Sequence, residues 1–348
     1  MSDRAAEWKR LLAAAAERCG RPVRLMEVCG SHSAAIARWG LRSLLPESVQ
    51  LLSGPGCPVC VSGAGFIDRA IALCRRGVRV ALFGDLLRVP GRDGATLGAE
   101  SSTLVIYSPA EALDYALAHP AEEVVLAAVG FEPTTAAAAA MLERAAEVEV
   151  PHFSLLTDFK FLRPALDTLI CGEVPVDGFL LPGHVAAITG RTGLRGLTRP
   201  GVIAGFAPEE ILHALTLLLT RVAAGDCEPV NDYPRAVPEA GNPRALAAID
   251  RFFENADGEW RGLGVIPGSC RKLRPAWRRF DAAARYDLPP PSAPRADGCR
   301  CGDVLRGVIP PEACARFGRT CTPEHPGGAC MVSIEGACAA AWLYRGRA

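Results

Sequence analysis

The stretch LLSGPGCPVC, residues 51–60, begins as an apolar strand, turns at Gly54-Pro55-Gly56, and then presents Cys57 and Cys60 three positions apart. Apolar residues at helical spacing follow from 61 to 74, so the two thiols are predicted where a strand leads into a helix. A helix N-terminus carries partial positive charge and free N–H groups, which favour the thiolate. The thiolate is the form that attacks disulfides and binds metals, so redox or metal chemistry is expected here.

Composition narrows the class of protein. At 348 residues, the chain is expected to form two or three domains. Lys plus Arg equals Asp plus Glu at 38 each, which argues against a nucleic-acid or membrane-surface partner. No apolar run reaches the roughly 20 residues of a membrane span, and the first residues predict an amphipathic helix rather than a secretion signal. We therefore expect a cytoplasmic protein, in which fourteen cysteines indicate metal ligation or redox work.

Apolar runs alternate with helical patterns along most of the chain. The strand candidates are residues 23–28, 49–53, 78–83, 103–107, 124–129, 152–156, 178–181 and 202–204. The helix candidates between and after them include 110–118, 135–146, 165–170 and 208–223. This alternation predicts an α/β fold with parallel sheets flanked by helices. Two sets of four strands predict two similar α/β domains, 1–119 and 120–224, followed by a smaller loop- and helix-rich C-terminal domain, 225–348.

The residues able to carry chemistry follow the predicted strands. These loops contain Cys29, His32, Cys57, Cys60, Asp85, Glu132, Thr134 and His184, and the stretches 157–160 and 205–209 belong to the same set. Ligands bind beyond the carboxyl ends of the strands in open α/β sheets. The loops therefore predict one shared cleft between two domains. None of the glycine-rich turns is a GxGxxG or Walker A sequence, so a nucleotide site is disfavoured.

Six cysteines fall in the last fifty residues, in a segment rich in Gly and Pro. They are Cys299, Cys301, Cys314, Cys321, Cys330 and Cys338. Such a segment buries little apolar surface of its own, so a metal centre would supply the missing constraint. The wide spacing favours an iron–sulfur cluster, while tetrahedral zinc and plain structural thiols remain as alternatives.

Six motifs in order resemble those of the HypD family of [NiFe]-hydrogenase maturation factors. They are Cys29-Gly30-x-His32, 54–60, Phe83-Gly84-Asp85 with 88–91, Gly130-Phe131-Glu132, 181–185, and Cys330-Met331-Val332-Ser333 before Glu335-Gly336-x-Cys338. The resemblance runs from Met26 to the last cysteine. Each motif is weak alone, and their order makes the set specific. Pro133 separates Glu132 from Thr134, so that either Thr134 or Thr135 faces the cleft.

The resemblance implies a scaffold on which the Fe(CN)2CO unit of the hydrogenase is assembled, with Cys29 as ligand of the iron under construction. It further implies a small HypC-type chaperone and a HypE-type cyanide donor as partners, with the hydrogenase large subunit reached indirectly. One [4Fe–4S] cluster is implied in the C-terminal domain. The intervals of 14, 6 and 16 residues in the family assign its ligands as Cys299, Cys314, Cys321 and Cys338.

Three function classes are compatible with these residues, of which the third is a purely structural adaptor. The first is a redox-active assembly scaffold, rather than an enzyme with conventional turnover, in which Cys57 and Cys60 supply electrons for cyanide attachment. The second is an iron–sulfur thiol–disulfide oxidoreductase acting on protein disulfides. Each residue also has a structural alternative: a packed thiol for Cys29, satisfied polar groups for His32 and His184, and helix caps for Asp85 and Glu132. Cys19, Cys74, Cys171, Cys227 and Cys270 receive no role.

Overall fold

A computed structural model describes residues 2–289 and 298–346 of the chain. The strands are β1 Val23–Glu27, β2 Val49–Ser53, β3 Arg79–Phe83, β4 Thr103–Ile106, β5 Val124–Gly130, β6 Phe153–Lys160, β7 Gly178–Pro182, β8 Gly201–Ala204, β9 Val230–Asn231, β10 Phe253–Trp260 and β11 Gly264–Leu273. The helices are α1 Ser2–Glu17, α2 Gly30–Arg38, α3 Pro58–Val61, α4 Ala64–Arg75, α5 Pro109–Ala118, α6 Glu132–Glu147, α7 Leu162–Ile170, α8 Gly183–Thr189, α9 Pro208–Ala224, α10 Pro243–Phe252, α11 Ala282–Arg285, α12 Cys301–Leu305, α13 Ala329–Val332 and α14 Ala337–Leu343.

The strands form two sheets that are mostly parallel. One sheet has five strands in the order β2-β1-β7-β8-β9, and the other has six in the order β10-β11-β6-β5-β3-β4. Helices cover the faces of both sheets, as parallel strands require. The prediction of an α/β fold with two parallel sheets and a helix-bearing C-terminal region is confirmed.

The division of the strands between the sheets differs from the sequence-based grouping. β3 and β4 lie in one sheet with β5 and β6, where β3 pairs with β5, whereas β7 crosses back to pair with β1, placing Met26 opposite Phe179. The grouping into two consecutive sets of four strands is therefore wrong, and the sheets do not coincide with 1–119 and 120–224. Apolar periodicity predicts where each strand lies, but it does not predict which strands pair with each other.

The hairpin of β10 and β11 was not predicted. It pairs antiparallel and joins the six-stranded sheet through β6, with Cys270 opposite Lys160. The stretch 157–160, expected as a loop, is therefore the end of β6. Gly, Asn and charged residues fill much of the hairpin, so its sequence lacks the β-branched and aromatic signal of a strand.

The largest buried cluster lies between the two sheets. Met26 and Phe179 come from one sheet, and Val80 and Val125 from the other. The same cluster includes the C-terminal Cys330, because α13 packs on α3 and α14 packs on α2. The C-terminal region is therefore closed over the space between the sheets rather than standing apart.

Two further clusters cover the outer faces. α5, α6 and α10 bury Ala and Leu side chains on the six-stranded sheet. α1 buries Leu12 and Ala15 against α9 on the five-stranded sheet, where each fully buried leucine contributes about 2 kcal/mol. None of the helices within 2–289 and 298–346 has the length and apolar character needed to span a bilayer.

Candidate functional site

Cys29 ends the turn after β1 and lies directly against the turn that precedes Cys57. A Cβ on Gly56 would lie 2.1 Å from the Cys29 backbone nitrogen, so only glycine allows this approach. The Gly30 N–H also donates to the Gly56 carbonyl oxygen at 2.9 Å. Because β1 and β2 are paired neighbours, their carboxyl ends bring the first two predicted loops together.

The Cys29 thiol is fully buried and faces His184, which follows the neighbouring strand β7. Its Sγ lies 3.9 Å from Nδ1 of His184, the second residue of α8. Burial raises the pKa of Cys29, and the Ser31 and His32 N–H groups at the start of α2 oppose that rise. In the free protein the group is therefore a thiol, which a bound metal ion would deprotonate.

His32 is fully buried, and only one of its two ring nitrogens is hydrogen-bonded within the described part of the chain. Its Nε2–H donates to the Gly205 carbonyl oxygen at 2.8 Å, whereas Nδ1 has no hydrogen-bond partner among the described residues. Burial lowers the pKa of His32 to about 4, so the ring is neutral near pH 7. Phe206 lies between the two imidazoles, with ring centroids 5.0 Å from His32 and 5.4 Å from His184.

Cys57 and Cys60 bracket the first turn of α3, as predicted, but their environment is apolar. The Cys60 N–H donates to the Cys57 Sγ at 3.3 Å, and both residues are buried. Burial, followed by the neighbouring Cys330 and Cys57 thiols, raises the pKa of Cys60 well above its ordinary value. The expectation that a helix N-terminus favours the thiolate is therefore wrong for Cys60: desolvation outweighs the dipole of a four-residue helix.

The thiols of Cys330 and Cys301 continue a row that starts at Cys57. The Cys60 thiol interacts with Cys330 and donates to the Ala329 carbonyl oxygen at 3.9 Å. The Cys330 thiol interacts with Cys301, and the Cys301 thiol interacts with Cys299. The row connects the dithiol to the cysteine-rich end, and neither Cys301 nor Cys330 had a role in the sequence-based interpretation.

The four predicted cluster ligands have a suitable chemistry. Burial raises the pKa of Cys321, and the nearby Cys299 and Cys314 add to the rise. The Gly327 N–H donates to the Cys321 Sγ at 3.2 Å, the kind of bond that stabilises cluster sulfur ligands. The fourth predicted ligand, Cys338, interacts with Cys330. Among the described residues, no three His, Cys, Asp or Glu side chains are grouped to hold one metal ion, so the ligand set stays a prediction.

Glu335 belongs to the last of the six motifs and received no role in the sequence-based interpretation. The structure places it beside the loops after β1 and β3. The Ser31 hydroxyl donates to its Oε1 at 2.6 Å, and a Cβ on Gly30 would lie 2.6 Å from the Glu335 Cβ. Partial burial, followed by the Glu335 charge, raises the pKa of Asp85 to about 6. The segment before Cys338 thus links the loops after β1 and β3. The motif was the signal that could have indicated this.

Thr134 and Asp85 line a cavity of about 370 Å³ with Pro58 and Val59, next to the dithiol. The Thr135 hydroxyl instead donates to the Phe131 carbonyl oxygen within its own helix, at 3.1 Å. Of the two threonines left open by the sequence, Thr134 is thus the one that faces this cavity.

Glu132 is directed elsewhere. Its Oε1 accepts from the Leu162 N–H at 3.0 Å, at the first residue of α7, while Oε2 has no hydrogen-bond partner in the described part of the chain. Burial raises the pKa of Glu132 to about 7. These contacts fit the helix-cap alternative better than a group of the cleft.

The fold and site define a thiol-based protein: two α/β sheets whose strand-end loops gather cysteines and histidines beneath a cysteine-rich C-terminal region. Residues 4–345 match the family model HypD, described as the hydrogenase formation hypA family. The hydrogenase maturation factor HypD of Escherichia coli (strain K12) is 42% identical over 337 residues, covering 93% of this chain and 90% of that protein. That of Cupriavidus necator is 42% identical over 347 residues, covering 94% and 91%. HypD2 of Bradyrhizobium diazoefficiens is 41% identical over 341 residues, covering 93% and 90%.

The chain belongs to the HypD family, and its role is in hydrogenase maturation.

Proposed function

We propose that the chain is the scaffold on which iron receives cyanide and carbon monoxide, with Cys29 holding the iron jointly with a cysteine of a HypC-type chaperone. The observation that carries this proposal is the backbone contact between Gly56 and Cys29. This contact joins the loop that carries Cys29, the candidate iron ligand, to the loop that carries Cys57 and Cys60, the candidate donor of two electrons. A soft thiolate suits low-spin iron that carries diatomic ligands.

The groups around Cys29 support proton transfer when iron binds. The Cys29 proton passes to His184, whose Nδ1 lies 3.9 Å from the sulfur. His32 contributes Nδ1, to which none of the described residues donates, as a buried hydrogen-bond acceptor. Phe206 packs against both rings.

Cyanide attachment from a thiocyanate-type donor, of the kind a HypE-type partner would present, needs two electrons. The sulfur–carbon bond of the donor breaks, the carbon binds iron, and the donor sulfur leaves as a thiol. Cys57 and Cys60 supply the electron pair by closing to a disulfide. Cys299, Cys314, Cys321 and Cys338 would hold the [4Fe–4S] cluster, whose chemistry is one-electron transfer. The row through Cys330 and Cys301 supports an electronic connection between the two.

The oxidoreductase alternative is less well supported, because a protein disulfide needs access to the attacking sulfur. Cys57 is 3% exposed and Cys60 is 0% exposed. A small ligand on iron held at Cys29 requires no such access. The burial of the dithiol therefore favours chemistry within the cleft.

Replacement of Cys29 tests the proposal. The Cys29→Ala protein, purified without air together with its chaperone, is expected to lack the cyanide and carbonyl infrared bands while keeping its iron–sulfur absorbance. The matched control is Cys74→Ala, which removes another buried thiol, from α4, and should retain the bands. Bands that persist in Cys29→Ala would exclude Cys29 as the iron ligand.

A further inference from the structure

Lys160 is an unusual residue in this chain. The chain contains 38 Lys and Arg residues, of which only Lys9, Lys160 and Lys272 are lysines. The side chain of Lys160 is 1% exposed, and none of the chemistry proposed above uses it. A buried primary amine is costly to maintain and, unlike a guanidinium, is a nucleophile once it loses a proton.

The amine is held directly against a thiol. Nζ of Lys160 donates to Asp158 Oδ1 at 2.6 Å and to the Glu259 carbonyl oxygen at 2.7 Å. Its third contact is the Cys270 Sγ at 3.6 Å. Lys160 and Cys270 are cross-strand partners in β6 and β11, so the sheet register fixes the two atoms together.

A small oxidant can reach the sulfur. Cys270, Asp158 and Glu259 line a cavity of about 210 Å³, which is roomy enough for peroxide. The sulfur also lies against a glycine: a Cβ on Gly258 would be 1.8 Å from it. Glycine at position 258 therefore leaves room for the Cys270 sulfur, and the amine next to that sulfur is Lys160.

We propose that Lys160 and Cys270 form a reversible sulfur–nitrogen bridge when the protein meets peroxide. Peroxide oxidises the Cys270 thiol by two electrons to a sulfenic acid and is itself reduced to water. Asp158 takes one proton from the Lys160 ammonium. The free amine then attacks Sγ: the sulfur–nitrogen bond forms, the sulfur–oxygen bond breaks, and the hydroxyl leaves as water with a proton from nitrogen.

The bridge would form close to the segment that contacts α3, the helix of the dithiol. Nitrogen keeps one N–H and loses its charge, so that Asp158 loses its ion-pair partner. The strand that carries the Glu259 carbonyl leads into Arg261, whose N–H donates to the Val61 carbonyl oxygen of α3 at 2.8 Å. Two equivalents of a thiol reductant restore amine and thiol, with release of their disulfide.

Mass spectrometry of the full chain tests the bridge. After peroxide treatment and proteolysis, the peptides of β6 and β11 are expected as one cross-linked species, lighter than their sum by two hydrogens and separated again by dithiothreitol. Lys160→Arg keeps the positive charge beside Asp158 but no nucleophilic amine, so it should give oxidised Cys270 without a cross-link.

Cys270→Ser should abolish the species, and Cys74→Ser, which removes a buried thiol elsewhere, should leave it unchanged. An unbridged wild-type protein whose Cys270 is oxidised would overturn the proposal. So would a Lys160 bridge to another cysteine, or a bridge that retains oxygen between sulfur and nitrogen.

Discussion

At the scale of single residues, burial decides what each ionisable group of this protein can do. Glu27 is fully buried, accepts from the Ser33 hydroxyl at 2.5 Å, and has a pKa raised to about 7 by desolvation. Burial likewise raises the pKa of Glu132 to about 7. The sequence identified Glu132 as a candidate from its glycine-rich loop, but the cap that it forms on α7 depends on a distant segment, which local sequence cannot reveal.

Glu132 should make the protein less stable as the pH rises. Its folded pKa, about 7, exceeds the ordinary 4.5, so between these values the folded state binds more protons and stability falls with pH. Glu132→Gln should remove this fall and be more stable near pH 8, by at most about 3 kcal/mol. Denaturant unfolding at several pH values measures it. Glu147→Gln, at the exposed end of α6, is the control, and parallel curves for Glu132→Gln and wild type would contradict the assignment.

At the scale of elements, the sequence predicted the regular parts well and the hairpin not at all. The eight strand candidates all occur, because each is an apolar run bounded by turn residues. β10 and β11 lack that pattern, and pairing of β11 with β6 stabilises them instead. The missed hairpin matters because it carries Arg261, which holds α3 and hence Cys60.

Arg261 should restrain the dithiol. Its Nη2 donates to the Ser62 carbonyl oxygen at 2.9 Å, and its own N–H donates to Val61. Arg261→Met loses the charge-assisted bonds, worth about 2 kcal/mol, so local opening of α3 should rise roughly thirtyfold. Alkylation of Cys57 and Cys60 under native conditions measures this opening.

The control for Arg261 is Arg274→Met, because Arg274 also donates to a backbone carbonyl, that of Asp250, at 2.7 Å, but lies at the other end of the hairpin. Equal alkylation rates in Arg261→Met and wild type would show that α3 is held by its other contacts.

At the scale of the whole molecule, the chain is closed around the space between its sheets. β7 returns to β1 after four strands of the other sheet, and α13 and α14 come back to α3 and α2. These pairings join segments more than a hundred residues apart, so neither periodicity nor motif spacing could predict them. The motifs did predict that loops following the strands lie close together, since strand ends of a parallel sheet meet at one edge.

In the cysteine-rich end, iron binding by the predicted ligands and electron transfer through the thiol row can be tested separately. Cys330 lies in the thiol row but outside the predicted ligand set, whereas Cys314 belongs to the set. Cys314→Ala should therefore lose its iron, measured as iron and sulfide per chain after isolation without air.

Cys330→Ser should keep full iron and visible absorbance, because its four predicted ligands are intact. Its oxidised Cys57–Cys60 pair should regain free thiols at least roughly tenfold more slowly after a one-electron reductant is added, because the row is interrupted. Iron loss in Cys330→Ser would instead place Cys330 among the ligands, and unchanged thiol recovery would mean that electrons reach the dithiol without it.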